Sequence, residues 1–368
     1  MSRDDTDKAI LGELPEDPRE DCTKVQDCPR IVTAREMLEG SVRRAEHGRD
    51  RGFSPTGNSI LDDMTGGIVP GLSWVFAART NYGKTMWTVA VTDENLRAGR
   101  GVLIVSIEDP EELYADRLML RRCCVRARNR RGVPVSADNL RLGNLTDDEK
   151  MAMREVANEG ERKPMFLNAS DWTGERIERE LDRILPAYPE IELVILDYIQ
   201  EVQSDERHNT MREKVSSNAK RLRNVAARHD RGLIIVSQIT DDEDPDKWPR
   251  MKQVRDAKDV VIGAAYVLMG GVATTEVRDG SGNIIMVAGE RGVRVEKVKR
   301  GRKGMVKLPW DDDAACFLPV TIGQPTDPKP PLRSGSWSPN AAPRDPREPA
   351  ERDYGDGIDD GFCGLPAV

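Results

Sequence analysis

Beyond residue 71 the chain alternates between short apolar runs and longer segments of helical period. The runs are Leu72–Ala77, Val102–Ile107, Leu193–Leu196, Leu233–Val236 and Val260–Leu268. They are rich in Val, Ile and Leu and lack period-two alternation, the pattern of strands buried on both faces. Helical segments separate them. Thr146-x-x-Glu149 is a capping-box signal for one. Another, near 211–229, carries the stripe Val215, Ala219, Leu222, Val225, Ala226. This succession predicts an α/β fold: a mostly parallel, twisted sheet flanked by helices. Turns at Asp279–Asn283 and Gly301–Gly304 predict a small antiparallel extension within 270–310.

Residues 51–71 read as loop-rich, with turn signals at Thr65-Gly66-Gly67 and Pro70-Gly71. Thr33-x-x-Glu36 opens a helix of few apolar residues (Met37, Leu38, Val42), so its packing partner is expected outside itself. The expected division is a flexible acidic tail at 1–30, a linker helix at 31–50, one α/β domain at 51–320 and a Pro-rich disordered tail at 321–368.

Composition narrows the class. Of 368 residues, 38% are hydrophobic and 33% charged, with net charge −8. No window approaches 18 uncharged apolar residues, so a membrane role is not expected. The N-terminus has no apolar secretory region, which points to the cytoplasm. The six cysteines form no C-x-x-C pair and read as free thiols in a reducing compartment. The acidic balance disfavours a generic nucleic-acid coat but leaves room for a local basic channel.

The chemistry starts at Ala78-Arg79-Thr80-Asn81-Tyr82-Gly83-Lys84-Thr85, set between an apolar strand and a helical pattern. That order is the arrangement of a P-loop, although Ala78 stands where the usual motif has its first glycine. Main-chain N–H groups and a helix start would cradle a nucleoside triphosphate. Lys84 would hold the β- and γ-phosphates and Thr85 would offer its hydroxyl to Mg²⁺. The other runs end in matching groups. Asp197 closes Leu193–Leu196 and suits the metal, Glu108 follows Val102–Ile107 and suits a general base for water, and Gln238 follows Leu233–Val236 and can sense the γ-phosphate. All would sit where parallel strands end, the place ligands bind in such sheets.

These residues resemble the RecA-like motor domain of DnaB-like replicative helicases, over roughly Gly57–Leu308. The resemblance rests on the ordered segments Thr56-Gly57…Leu61-Asp62, Ala77–Thr85, Ser106-Ile107-Glu108, Leu145–Glu149, Ile195–Gln200, Ser237-Gln238-Ile239 and Asp256–Val261. In that family an alanine commonly replaces the first P-loop glycine. The resemblance implies an ATP- and Mg²⁺-dependent helicase that moves on single-stranded DNA as a homo-oligomer, a hexamer by family habit. Primase or other replisome proteins are implied partners. Three departures stand out. Only about 50 residues precede the motor, short of the family's primase-binding domain, as in a phage-type form acting in host cytoplasm. The family's Lys-x-Arg, inserted into a neighbour's site, reads Lys297-Val298-Lys299, with Arg300 next. Lysine keeps the charge but loses the planar fork. The loop after Gln238 also begins acidic, at Asp241–Asp244.

The resemblance places two loops, Glu201–Thr210 and Thr240–Arg255, in a central channel. Candidate DNA contacts are Arg207, Arg212, Lys247, Arg250 and Lys252. Trp248 could stack on a base or anchor its loop. Two rival readings share the fold: a recombination or repair ATPase without unwinding, and a non-catalytic ATP-binding adaptor of another helicase.

Overall fold

A computed structural model of the chain describes residues 53–129, 132–158, 165–239, 248–254, 258–278 and 284–321, with a few positions between 33 and 42. The chain divides into two units, 1–51 and 52–368. In the first, the described residues from Ala34 to Val42 are helical, opened by a Met37 N–H to Thr33 C=O bond of 3.0 Å. Met37, Leu38 and Val42 are exposed there. The expected tail at 1–30 lies outside the described residues, as does the tail at 321–368 beyond its first residue.

The second unit is built on an eight-stranded sheet. In chain order its strands are β1 (Ser73–Ala78), β2 (Gly101–Ser106), β3 (Met165–Asn168), β4 (Ile191–Asp197), β5 (Gly232–Gln238), β6 (Tyr266–Arg278), β7 (Ile284–Val298) and β8 (Gly304–Lys307). They lie in the order β3-β2-β4-β5-β1-β6-β7-β8. Every pairing from β3 to β6 is parallel, while β7 and β8 are antiparallel. This is the antiparallel extension that the turns predict, carried by β6 and β7, of 13 and 15 residues, and by the short β8. A separate pair, β9 (Trp310–Asp311) and β10 (Cys316–Phe317), folds beside the P-loop.

The helices are α1 (Ser59–Thr65), α2 (Lys84–Arg97), α3 (Glu111–Arg128), α4 (Ala137–Leu142), α5 (Asp147–Ala157), α6 (Gly174–Ala187), α7 (Met211–Arg228) and α8 (Lys258–Gly263). Strand residues feed two cores in alternation. Trp74, Phe76 and Ile104 pack with α2 and α3 on one face; Val75, Ala77, Leu103 and Val105 pack with α6 and α7 on the other. That double burial explains the unbroken apolar runs. The capping box at Thr146 and Glu149 opens α5 as the sequence predicts. Among the described residues, no helix is long and apolar enough to cross a membrane.

The loop-rich stretch 51–71 holds one short helix: Asn58 caps α1 by accepting from Ile60 and Leu61 N–H, and Gly66 ends it at φ 79°. Seven residues carry too short a pattern to stand out from turn signals. One expectation fails: the run Val260–Leu268 is not one strand. Its first part closes α8 and the strand begins at Tyr266, because periodicity alone cannot separate a buried helical turn from a buried strand.

Candidate nucleotide site

The loop Arg79–Gly83 joins the C-terminal end of β1 to α2. Asn81 (φ 61°) and Gly83 (φ 101°) are both left-handed, which turns the chain sharply into the helix. No side chain caps α2 at Gly83, whereas Asn58, Ser136, Thr146, Thr173 and Thr210 cap α1, α4, α5, α6 and α7. The first-turn N–H groups of α2 therefore present partial positive charge to an anion.

Not every residue of this stretch faces a ligand with its side chain. Ala78 is the buried last residue of β1, and its place is taken up by packing: a Cβ on Gly270 would lie 3.1 Å from the Ala78 Cβ. Tyr82 also turns inward, so its offer to a ligand is main-chain only. Its ring lies 6.0 Å from Phe76 and 5.9 Å from Phe317, and its hydroxyl donates to Gly292 C=O at 2.6 Å. Burial pushes that phenol well above its ordinary pKa. Arg291 donates to the Tyr82 carbonyl and stacks 4.1 Å over Trp310. Nothing in the sequence pattern singles Arg291 out as a support for this loop.

Lys84, Thr85, Asp197 and Glu108 come together at this end of the sheet. Register explains it: Ala78 is level with Gln238, and Ser106 with Asp197. Lys84 Nζ donates to Arg79 C=O at 3.2 Å. Burial lowers its pKa, while Asp197 and then Glu108 push back toward the ammonium form. Asp197 is buried, and burial raises its carboxyl to about 6, opposed by a hydrogen bond from the Thr85 side chain and by Lys84, with Asp109 adding to the rise. Thr88 Oγ1 also reaches the Asp197 carboxylate at 3.5 Å. A buried carboxylate and the threonine hydroxyl touching it are hard oxygen donors that suit Mg²⁺, and the facing lysine suits the phosphates of a triphosphate. The chemistry of the donors thus fits the ion, with Thr85 and Asp197 to hold it.

Glu108 is exposed two residues beyond β2. Its turn is fixed from both sides. Ser106 Oγ donates to Asp109 C=O at 2.6 Å, Ile107 N–H donates to Asp197 C=O at 2.9 Å, and Arg117 pairs with the Asp109 carboxylate. Gln238 Nε2 donates to Thr80 Oγ1 at 2.7 Å, which puts the amide beside the P-loop.

The structure does not bring Lys297 and Lys299 to this site. Val298 pairs with Tyr266, and Tyr266 with Trp74, at the N-terminal edge of the parallel strands. Ala78 lies four positions beyond Trp74, about 13 Å along the strand. Lys297 Nζ donates to the Val261 and Ile262 carbonyls at 3.2 and 2.5 Å. Its pKa is lowered by burial, then by Arg223 and Lys299. Lys299 and Arg300 are exposed.

Of the candidate DNA contacts, Arg207, Arg212, Arg250 and Lys252 are exposed on segments that follow β4 and β5. Lys247 lies outside the described residues. Trp248 anchors its loop: its indole N–H donates to Met269 C=O at 3.3 Å, and its ring packs against Gly271.

Residues 54–318 match the family described as DnaB-like helicase C terminal domain. The chain belongs to that family. Among curated relatives of this DnaB-like domain, "Replicative DNA helicase DnaC" of Bacillus subtilis is 27% identical over 223 residues, 58% of this chain and 46% of the relative. "Replicative DNA helicase DnaB" of Geobacillus stearothermophilus is 27% identical over 233 residues, 60% and 48% respectively. The DnaB-like chain thus spans about half the length of the curated relatives it matches. Solved structures share its fold. The ATPase domain of G40P superposes with TM-score 0.64 at 18% identity, covering 79% of this chain and all of that one. A DnaB-like replicative helicase, described with its interactions with primase, gives 0.62 at 18%, covering 78% and 67%.

Proposed function

We propose that this chain is an ATP-driven DNA helicase motor that translocates on single-stranded DNA during replication. One observation carries the reading: an uncapped helix start, a lysine, a buried aspartate, an exposed glutamate and a glutamine converge at one end of a parallel sheet. Each group has a task in attack of water on a γ-phosphate. The α2 N–H groups and Lys84 bind the phosphates. Thr85 and Asp197 hold Mg²⁺, which when bound neutralises charge on the β- and γ-phosphate oxygens. Glu108 orients the water and takes its proton. Gln238 senses the γ-phosphate from beside Thr80.

Lys297 and Lys299, facing away from their own site, act in a neighbouring protomer's site, which implies a ring of identical, head-to-tail contacts. A hexamer is the form we propose. Arg207, Arg212, Lys247, Arg250 and Lys252 contact the DNA backbone. The activity belongs in the cytoplasm, host cytoplasm for a phage-type protein, with primase or another replisome protein as partner.

The test is release of a labelled strand from a forked duplex by wild type and Lys84→Ala. ATP-dependent release by wild type alone is expected. ATP turnover without release by wild type favours a recombination or repair ATPase, and no turnover with or without DNA favours an adaptor.

A further inference from the structure

Gln200 does for the end of β5 what a neighbouring strand does for the rest of it. The β4–β5 ladder stops at Leu196 and Ile235, three residues before Gln238. On its other side Gln238 is level with Ala78, and Ile239 N–H donates to Ala78 C=O at 3.3 Å. The Gln238 peptide needs partners on the open side, and the Gln200 side chain supplies them. Gln238 N–H donates to Gln200 Oε1 at 3.1 Å. Gln200 Nε2 donates to Gln238 C=O at 3.0 Å and to Ser237 Oγ at 2.8 Å. A primary amide is the side chain that offers acceptor and paired donors in one plane. With its main chain clasped, Gln238 is free only to aim its own amide at the P-loop, where it meets Thr80.

We infer that Gln200 is a positioning residue that holds Gln238 toward the triphosphate and passes its displacement into the Glu201–Thr210 segment; this rests on the ATPase-motor reading above. Gln200 sits in the single turn Ile199–Glu201, between Asp197 and that segment. The segment is in turn tied to the start of α6: Ser204 Oγ donates to Glu175 at 3.2 Å and Asp205 N–H to the same carboxylate at 3.1 Å. A shift of Gln238 therefore either breaks three short bonds or drags the turn, and dragging it moves the segment that carries Arg207. The route from nucleotide to DNA is then one side-chain amide long.

Gln200→Met keeps the length and bulk and removes all three bonds. Gln200→Glu keeps an acceptor for the Gln238 N–H but sets a carboxylate against the Gln238 carbonyl. Two measurements on the full chain read the role. In steady-state ATPase, both variants should keep KM within about twofold while kcat with single-stranded DNA falls about tenfold or more. In hydrogen exchange with Mg²⁺ and a non-hydrolysable ATP analogue, wild type should change protection at 79–86, 237–239 and 201–210, and Gln200→Met only at 79–86. Wild-type DNA stimulation in Gln200→Met, or the same spread of protection to 201–210, overturns the inference. Should wild type turn over no ATP while the analogue protects 79–86, the motor reading falls and the exchange result alone decides the role of Gln200. An analogue that changes exchange nowhere overturns both.

Discussion

Asp93 on α2 and Arg121 on α3 form an ion pair at 3.4 Å with both side chains sealed from solvent. The network continues outward. Arg122 and Arg97 reach Asp93 at 2.8 and 3.2 Å, and Arg121 reaches Glu94 at 2.5 Å and Phe317 C=O at 2.9 Å. It therefore staples α2, the helix that begins at the P-loop, to α3 and β10. Removing one partner strands a buried charge, while replacing both by apolar groups need not. Arg121→Ala should lower unfolding free energy in urea by about 3 kcal/mol, and Asp93→Leu with Arg121→Met by clearly less. Equal losses for the single and the double variant would show that packing, not charge, matters here.

Glu108 is exposed on a turn held by Ser106 and Arg117, so changing its carboxylate leaves the turn intact. Glu108→Gln should bind a fluorescent ATP analogue with Mg²⁺ as wild type does and lose about 10²–10⁴ in kcat, the range for a general base. A weakened affinity with kcat preserved would move Glu108 from proton transfer to binding.

How much of this site the sequence discloses follows from geometry. Strand ends are legible, because each apolar run stops at its chemical group: Asp197, Glu108 and Gln238 follow from run and terminus alone. Parallel register then brings them level without further information. What stays hidden is support across long separations. Arg291 reaches the Tyr82 carbonyl from more than 200 positions away, and no local pattern records that. The inward turn of Tyr82 is hidden for the same reason, since its fate depends on Phe317 and Gly292. The helix α1 fails to show because its signal is a single capped turn or two.

Asp197 carries a pH signature. Its carboxyl sits near 6 in the folded chain, above the ordinary value of 3.8. A raised carboxyl favours the unfolded state once ionised, so the cost is absent below about pH 4, grows as pH rises through about 6 and is complete above it. Asp197→Asn should therefore stabilise the nucleotide-free protein at pH 7.5 by about 1–3 kcal/mol and change little near pH 4. Urea titrations at the two pH values check the sign; a gain that is the same at both would assign it to packing instead.

Arg207 and Lys252 are exposed on the segments after β4 and β5. If each neutralises a phosphate, binding to an oligonucleotide of single-stranded DNA should weaken uniformly across sequences. The slope of log K against log salt should shrink by about 0.7 for each charge removed. Arg207→Ala and Lys252→Ala, measured by anisotropy from 50 to about 200 mM salt, give that slope directly. An unchanged slope removes the residue from the DNA path.

The placement of Lys299 at the edge opposite its own P-loop makes a complementation experiment possible. Lys84→Ala disables the site a protomer owns, and Lys299→Ala disables what it lends to its neighbour. Each variant alone should lose most DNA-stimulated ATPase, about 10²–10³-fold for the phosphate-binding lysine. In an equimolar mixture, some contacts join the intact Lys84 of one variant to the intact Lys299 of the other. About a quarter of contacts in a randomly assembled head-to-tail ring meet that condition. Mixing two inactive preparations should therefore restore activity toward a quarter of wild type, provided subunits exchange, which a labelled-protomer energy-transfer signal verifies. Restored activity cannot come from a site complete within one chain, so exchange without recovery would remove Lys299 from the neighbour's site.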